Sequence, residues 1–266
     1  MRVEESPVLV RAWEPGKGRV LVRAEPLDPA AVAPPRAIPP QPSRSAGPAQ
    51  LRLAIERIRF ALGVDDDLSE FYGRFRRDPL LGPLLRRRPW LRPRRRPWAW
   101  EALAWAIVKQ LIETERAAVI QRRIVGRWGM RLTHESGALR DMPAAATIAG
   151  RAPAELAALD LSPARSVALR AVAREIAAGR CDPGDAAGDR RLLAVPEIGP
   201  WTVQCLGLFG RGDPDSLPAG DLIYLKLVGR LARLGRRATV EEVEEFYAPY
   251  EPFRGLAGLW TIGLYR

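Results

Sequence analysis

Residues Leu192 to Leu227 read LLAVPEIGPWTVQCLGLFGRGDPDSLPAGDLIYLKL. A helix ends near Leu192, the chain turns through Val195-Pro196-Glu197-Ile198-Gly199-Pro200, and a second helix starts at Trp201. Pro suits the first turn of a helix, where the N–H it lacks would have had no intrahelical partner. The stretch therefore predicts a helix-hairpin-helix. The N–H groups opening the second helix sit at the positive end of its dipole, so this turn suits a phosphate. Further on, Pro218-Ala219-Gly220 delivers Asp221 to the start of an apolar helix carrying Leu222, Ile223, Leu225, Leu227, Val228 and Leu231. Taken alone, an Asp in that place is a helix N-cap.

The whole chain agrees with a polyanionic partner. Its 266 residues carry a formal net charge of +11, with an isoelectric point near 10.6, which makes nucleic acid the natural class of ligand. Lys occurs only at Lys17, Lys109 and Lys226, so nearly all of the positive charge is Arg, and genomic composition accounts for some of it. No apolar run is long enough to span a bilayer and no signal-peptide pattern opens the chain, so it reads as cytosolic, and nucleoid-associated if bacterial. Cys181 and Cys205 are too few for a disulfide framework or for four-Cys ligation of an iron–sulfur cluster. The single histidine, His134, falls in a polar Thr-His-Glu-Ser turn and reads as a loop residue, which argues against a His-based triad or metal site.

Working outward, residues 1–25 contain two β-rich runs, Val8 to Trp13 and Arg19 to Ala24, around Glu14-Pro15-Gly16-Lys17-Gly18, and predict a β-hairpin that packs on the helical body. Residues 26–50 are rich in Pro, Ala and Ser and predict an extended linker. From Leu51 onward the periodicity is helical. Leu51, Ile55, Ile58 and Leu62 form an apolar face closed by Gly63; Asp65-Asp66-Asp67 can cap the next helix; and Trp98 to Trp128 is the longest helical region, interrupted at Lys109-Gln110-Leu111-Ile112-Glu113. Arg86 to Pro97 is the densest basic run, readable as a phosphate-contacting strip or as a solvated loop. Ala-rich helices follow over 144–149, 154–159 and 162–178, Thr239-Val240-Glu241-Glu242 is a capping box, and a last helix runs from about Phe253 to Tyr265. With no βαβ alternation, residues 51–266 predict an all-α body.

Val195-Pro196-Glu197-Ile198-Gly199-Pro200-Trp201-Thr202 followed by Leu217-Pro218-Ala219-Gly220-Asp221 resembles the helix-hairpin-helix/Gly-Pro-Asp superfamily of base-excision DNA glycosylases. Trp201 after Gly-Pro resembles its 3-methyladenine DNA glycosylase II (AlkA-type) branch. The resemblance covers about residues 51–266 and is strongest from Val195 to Asp221. It implies a mainly α, helix-hairpin-helix glycosylase fold, with the N-terminal hairpin as a remnant of the family's β domain: either that domain is shortened here, or the true start lies upstream. It also implies a function, the flipping and hydrolytic excision of damaged bases, alkylated purines foremost, from double-stranded DNA. The enzyme would act as a monomer and need no cofactor.

Carried over residue by residue, the resemblance makes Asp221 the catalytic carboxylate and Trp201, Trp260 and Cys205 the base pocket. Leu111 would be the wedge entering the gap left by the extruded nucleotide, with Gln110 its polar neighbour. Ile198, Gly199, Trp201 and Thr202 would hold the DNA backbone, and the carbonyls of Leu193, Val195 and Ile198 a monovalent cation. Cleavage passes through an oxocarbenium-like sugar, which a carboxylate beside C1′ stabilises while orienting water. An indole face adds ~0.5–2 kcal/mol for a cationic base. Bifunctional relatives place Lys where this chain has Trp201, so no lyase activity is expected. Two positions depart from the family: Glu197 replaces the first Gly of a Gly-x-Gly hairpin tip, and Lys109 replaces a small residue. Two rivals stay open: an oxidised-base or mismatch glycosylase, which would keep Asp221 with different pocket residues, and a non-catalytic DNA-binding protein on the same scaffold, for which Glu197 and Lys109 argue and the complete Leu217-Pro218-Ala219-Gly220-Asp221 segment does not.

Overall fold

The computed structural model describes residues 1–4, 6–16, 18–28, 32–33, 45–134 and 137–264. Strands β1 (Arg2–Val3), β2 (Ser6–Gly16) and β3 (Arg19–Pro26) form an antiparallel sheet in that order. β2 and β3 pair from Val8 opposite Pro26 to Trp13 opposite Leu21, with a register shift before Gly16. The hairpin packs where expected, because Val3 and Val8 close a small apolar cluster with Ala54 of α1 (Pro48–Leu62). Most of the stretch read as a linker lies outside the described residues. Within it, β4 (Val32–Ala33) pairs with β5 (Arg131–His134), and β5 with β6 (Gly137–Arg140). His134 thus ends a strand, and the body departs from an all-helical one by this one hairpin.

The remaining elements are helices: α2 (Ser69–Phe75), α3 (Leu81–Arg87), α4 (Ala99–Lys109), α5 (Thr114–Trp128), α6 (Ala145–Ala149), α7 (Pro153–Ala157), α8 (Pro163–Ala177), α9 (Asp189–Leu193), α10 (Pro200–Leu206), α11 (Leu222–Leu231), α12 (Val240–Tyr247) and α13 (Arg254–Ile262). Local chemistry sets their ends. Gly63 closes α1 at φ 64°, the left-handed conformation that glycine adopts freely. Asp67 accepts from the Ser69 N–H at the start of α2, and Asp78 from Leu80 and Leu81 before α3. Thr239 and Glu242 exchange the two bonds of a capping box.

The helices bury two apolar cores. One gathers Leu103, Ile107, Ile120, Ile124, Ile148, Leu169, Leu192 and Leu206 from α4 to α10. The other gathers Phe71, Leu85, Tyr224, Tyr247, Leu256 and Trp260 from α2, α3 and α11 to α13. α4 and α10 belong to the first and α11 to the second, so the C-terminal end of α4 and the N-terminal end of α11 meet at their junction. Among the described residues no helix is long and apolar enough to cross a membrane.

Candidate active site

The hairpin joins α9 to α10. Gly199 is the extended N-cap of α10 and Pro200 its first residue. The Ile198 N–H donates to Val195 O at 3.1 Å, and the Thr202 N–H to Gly199 O at 3.0 Å. Of the four residues expected to hold DNA, two therefore commit their N–H groups internally. Thr202 is a correction in full, because its side chain is buried and its hydroxyl accepts from Gln110 Nε2 at 3.0 Å. Of those four residues, Gly199 and Trp201 are the ones whose N–H groups the turn leaves for a ligand. Glu197 stands at the tip with φ 70°, a conformation that costs a residue with a Cβ roughly 1–2 kcal/mol. Glycine adopts this backbone freely, and this chain places a glutamate on it.

Opposite the hairpin, α4 stops at Lys109 and the chain turns out of the helix through Gln110 (φ −48°, ψ 129°) and Leu111 (φ 56°). Leu111 is completely exposed, at 101%. Its left-handed backbone swings the side chain out of the helical run and into solvent. Two side chains hold the turn. Arg165 Nη1 donates to the carbonyls of Val108 at 2.9 Å and Gln110 at 3.1 Å, while its Nε donates to Ser162 Oγ at 2.8 Å. Gln110 Nε2 donates to Glu197 O at 2.7 Å and to Thr202 Oγ1, so one amide ties the turn bearing Leu111 to the hairpin. The grip of Arg165 on two carbonyls is a role that no local sequence signal announces.

Asp221 is both an N-cap and a member of the site. Its Oδ1 accepts from the Ile223 N–H at 3.1 Å, and its Oδ2 lies 3.3 Å from Lys109 Nζ. Lys109 Nζ is in turn 6.0 Å from the centroid of the Trp201 ring. Gly220, just before the carboxylate, packs on that indole: a Cβ there would come within 3.9 Å of Trp201 Cβ and Cδ1. Trp201 is half-buried, and Cys205 lies one turn further along α10 and is buried. Burial pushes the Cys205 thiol up, opposed by the Lys109 cation and reinforced by Asp221. The same field reaches Tyr224, one turn into α11, whose buried hydroxyl is raised well above its usual range by desolvation first and then by Tyr247, Asp221 and Cys205. Sequence reasoning passed over Tyr224, although its place three residues after Asp221 puts it on the same helix face.

Trp260 does not join this group. It is 2% exposed, with its ring 5.3 Å from Phe71 and 6.3 Å from Tyr72. Packed against these rings of α2, it has almost no surface open to a base, so the expected pocket residue is a core residue. The basic run is likewise turned inward at several points. Arg95 pairs with Asp66 and lies over Phe60, Arg92 donates to the carbonyls of Pro89 and Leu91, and Arg96 lies over Trp105. At those positions the run is bracing.

No family model matches the chain. It is 31% identical over 221 residues to a protein of Mycobacterium tuberculosis named "Probable bifunctional transcriptional activator/DNA repair enzyme AlkA", an overlap covering 79% of this chain and 43% of that protein. The chain thus spans less than half the length of that relative. It is 25% identical over 209 residues to the "DNA-3-methyladenine glycosylase" of Bacillus subtilis, covering 75% of this chain and 68% of the relative. Among solved structures it superposes on the 3-methyladenine DNA-glycosylase from Archaeoglobus fulgidus with a TM-score of 0.76 at 20% identity, over 97% of this chain and 82% of that one. At that identity the likeness is one of fold.

Proposed function

From membership of the helix-hairpin-helix superfamily of DNA glycosylases, to which this chain belongs, we propose that it excises damaged purines, alkylated ones foremost, from double-stranded DNA by hydrolysis. One observation carries the reading. The Gln110 amide joins a fully exposed Leu111 to the hairpin that brings Trp201 beside Asp221. A wedge, a phosphate-binding turn and a carboxylate thereby stand on one braced frame, as base extrusion requires.

In the proposed reaction Leu111 fills the space of the extruded nucleotide, and the N–H groups of Gly199 and Trp201 hold a backbone phosphate. The half-buried Trp201 offers the pocket its one indole face. Asp221 stabilises the positive charge that grows at C1′ as the bond to the base breaks, and takes the proton of the water that adds there. Trp201 occupies the place of the bifunctional relatives' lysine, so the product is an abasic site in an intact strand. The hairpin carbonyls of Leu193, Val195 and Ile198 suit a monovalent cation, being neutral oxygens. Val195 O already accepts from Ile198 N–H and has a second lone pair to offer; such an ion would lend the turn positive charge toward a phosphate. The proposal extends to a cytosolic monomer with a β-rich N-terminal segment and a glycosylase body that begins with α1 at Pro48.

A second reading, a DNA-binding protein without catalysis, draws on the Lys109–Asp221 ion pair and on Glu197 at the hairpin tip. Base release from duplexes carrying single lesions, for wild type and Asp221→Asn, separates the two. Glycosylase action requires release by wild type, a loss of at least about 100-fold in Asp221→Asn, and strand breaks only after alkali. Equal DNA binding by both proteins with no release by either would establish Asp221 as a helix cap alone.

A further inference from the structure

Lys109 is the charged group of this site that the reaction above leaves without a task. It ends α4 where the resembling family carries a small residue, and its Nζ lies 3.3 Å from Asp221 Oδ2 and 6.0 Å from the Trp201 ring centroid. The two side chains are 28% and 18% exposed, so water screens their charges only in part. A cation is therefore already seated on the carboxylate and near the indole face that would attract a positively charged base.

A base that arrives cationic, as an N3- or N7-methylated purine does, would compete with that ammonium for the same two groups and be repelled by it. A neutral damaged purine, such as hypoxanthine or ethenoadenine, meets no such repulsion. It needs something a cationic base does not, a proton for the nitrogen that leaves. Resting on the glycosylase reading, we infer that Lys109 sets the charge class of the substrate. Among alkylated purines it favours neutral adducts such as ethenoadenine, and with them hypoxanthine, over cationic N-methylpurines, by repelling the latter and protonating the former as they depart. The C1′–N bond breaks with its electron pair passing to the base, and the Lys109 ammonium gives the departing base a proton. Water adds to C1′ and loses a proton to Asp221. The Asp221 carboxyl then returns that proton to the Lys109 amine across their contact, and both groups end as they began.

The test is single-turnover release of hypoxanthine, ethenoadenine, 3-methyladenine and 7-methylguanine from otherwise identical duplexes by the full chain, Lys109→Met and Lys109→Arg, with thermal unfolding of each protein as a check on folding. Rates are taken relative to each base's spontaneous loss, and on that scale wild type is expected to release the neutral bases faster. Lys109→Met should lower the neutral-to-cationic ratio by at least about tenfold, and Lys109→Arg should keep the cationic bases slow. A merely structural lysine would lower all four rates together and leave the ratio unchanged, which overturns the inference, as does a wild type faster on cationic bases even if Lys109→Met fails to fold. A borohydride-trapped adduct present in wild type and absent from Lys109→Met would also overturn it, by making the amine a nucleophile. Failure of the glycosylase reading has a different signature: no base of either class is released by wild type.

Discussion

Truncating Leu111 to Ala separates a wedge from an accidental surface leucine. The side chain is fully exposed, so the folded protein has no burial to lose. Ala keeps a Cβ, so the left-handed backbone at φ 56° is neither relieved nor further strained. The unfolding free energy should therefore change by no more than about 0.5 kcal/mol. In the DNA complex the same side chain would pass from full exposure into a base-sized gap. Burying a leucine stabilises by about 1.5–3 kcal/mol, and Ala retains part of that, which leaves about 1–2 kcal/mol, or roughly 5- to 30-fold in rate. The assay is single-turnover release from a paired duplex and from the same lesion in a single strand, where no stack has to be opened. The wedge account requires the loss in the duplex and little change in the single strand. An equal loss in both, or a drop in thermal stability large enough to explain it, refutes the reasoning.

Two further outcomes follow from the packing. Glu101, in the first turn of α4, has its carboxyl pushed up to about 7 by burial first and then by Asp141, with Arg96 and the N-terminal ammonium opposing. A carboxyl raised in the folded state contributes stability that is present below its unfolded range and lost as pH rises through about 7. Glu101→Gln should accordingly flatten the fall in stability between pH 5 and 8 and gain about 1–3 kcal/mol at the upper end, read from urea unfolding across pH; an unchanged slope would exclude Glu101 as its source. Gly229→Ala would place a Cβ 2.2 Å from Arg236 O and 3.0 Å from Ala238 N. Both are backbone atoms that cannot rotate away, so a loss of about 1–3 kcal/mol in unfolding free energy is expected, whereas a neutral effect would mean the turn after α11 yields freely.

The parts of this molecule that were legible in its sequence are those where the deciding chemistry is local. Val195 to Pro200 announces a turn and a helix start through its own prolines and glycine, and Asp221 announces a cap through the apolar helix behind it. Leu111 was placed by resemblance alone, because nothing in Lys-Gln-Leu-Ile-Glu carries a stop signal; Arg165, remote in sequence, holds the carbonyls at the break. Lys109 and Asp221 are 112 residues apart, and no local pattern encodes that meeting. Trp260 misled for the same reason. Its sequence neighbours resemble a pocket helix, but its accessibility is decided by Phe71 and Tyr72 on another element. The strand pair Arg131–His134 and Gly137–Arg140 went unread because the sequence between them carries no Asn-Gly or Asp-Gly pair of the kind that signals a hairpin.

The bond from Gln110 to the Glu197 carbonyl ties the turn bearing Leu111 to the hairpin, so that the two can act as a gauge. If a phosphate sits on the hairpin while Leu111 occupies the vacated place in the stack, the separation between that phosphate and the gap is set by the protein, not by the DNA. The two strands of a duplex run in opposite directions, so such a gauge fits a damaged strand in one orientation only. The protein would then read polarity as well as damage: a lesion approached with the strand reversed would present its phosphate on the wrong side of the gap, and the search along DNA would proceed with a heading.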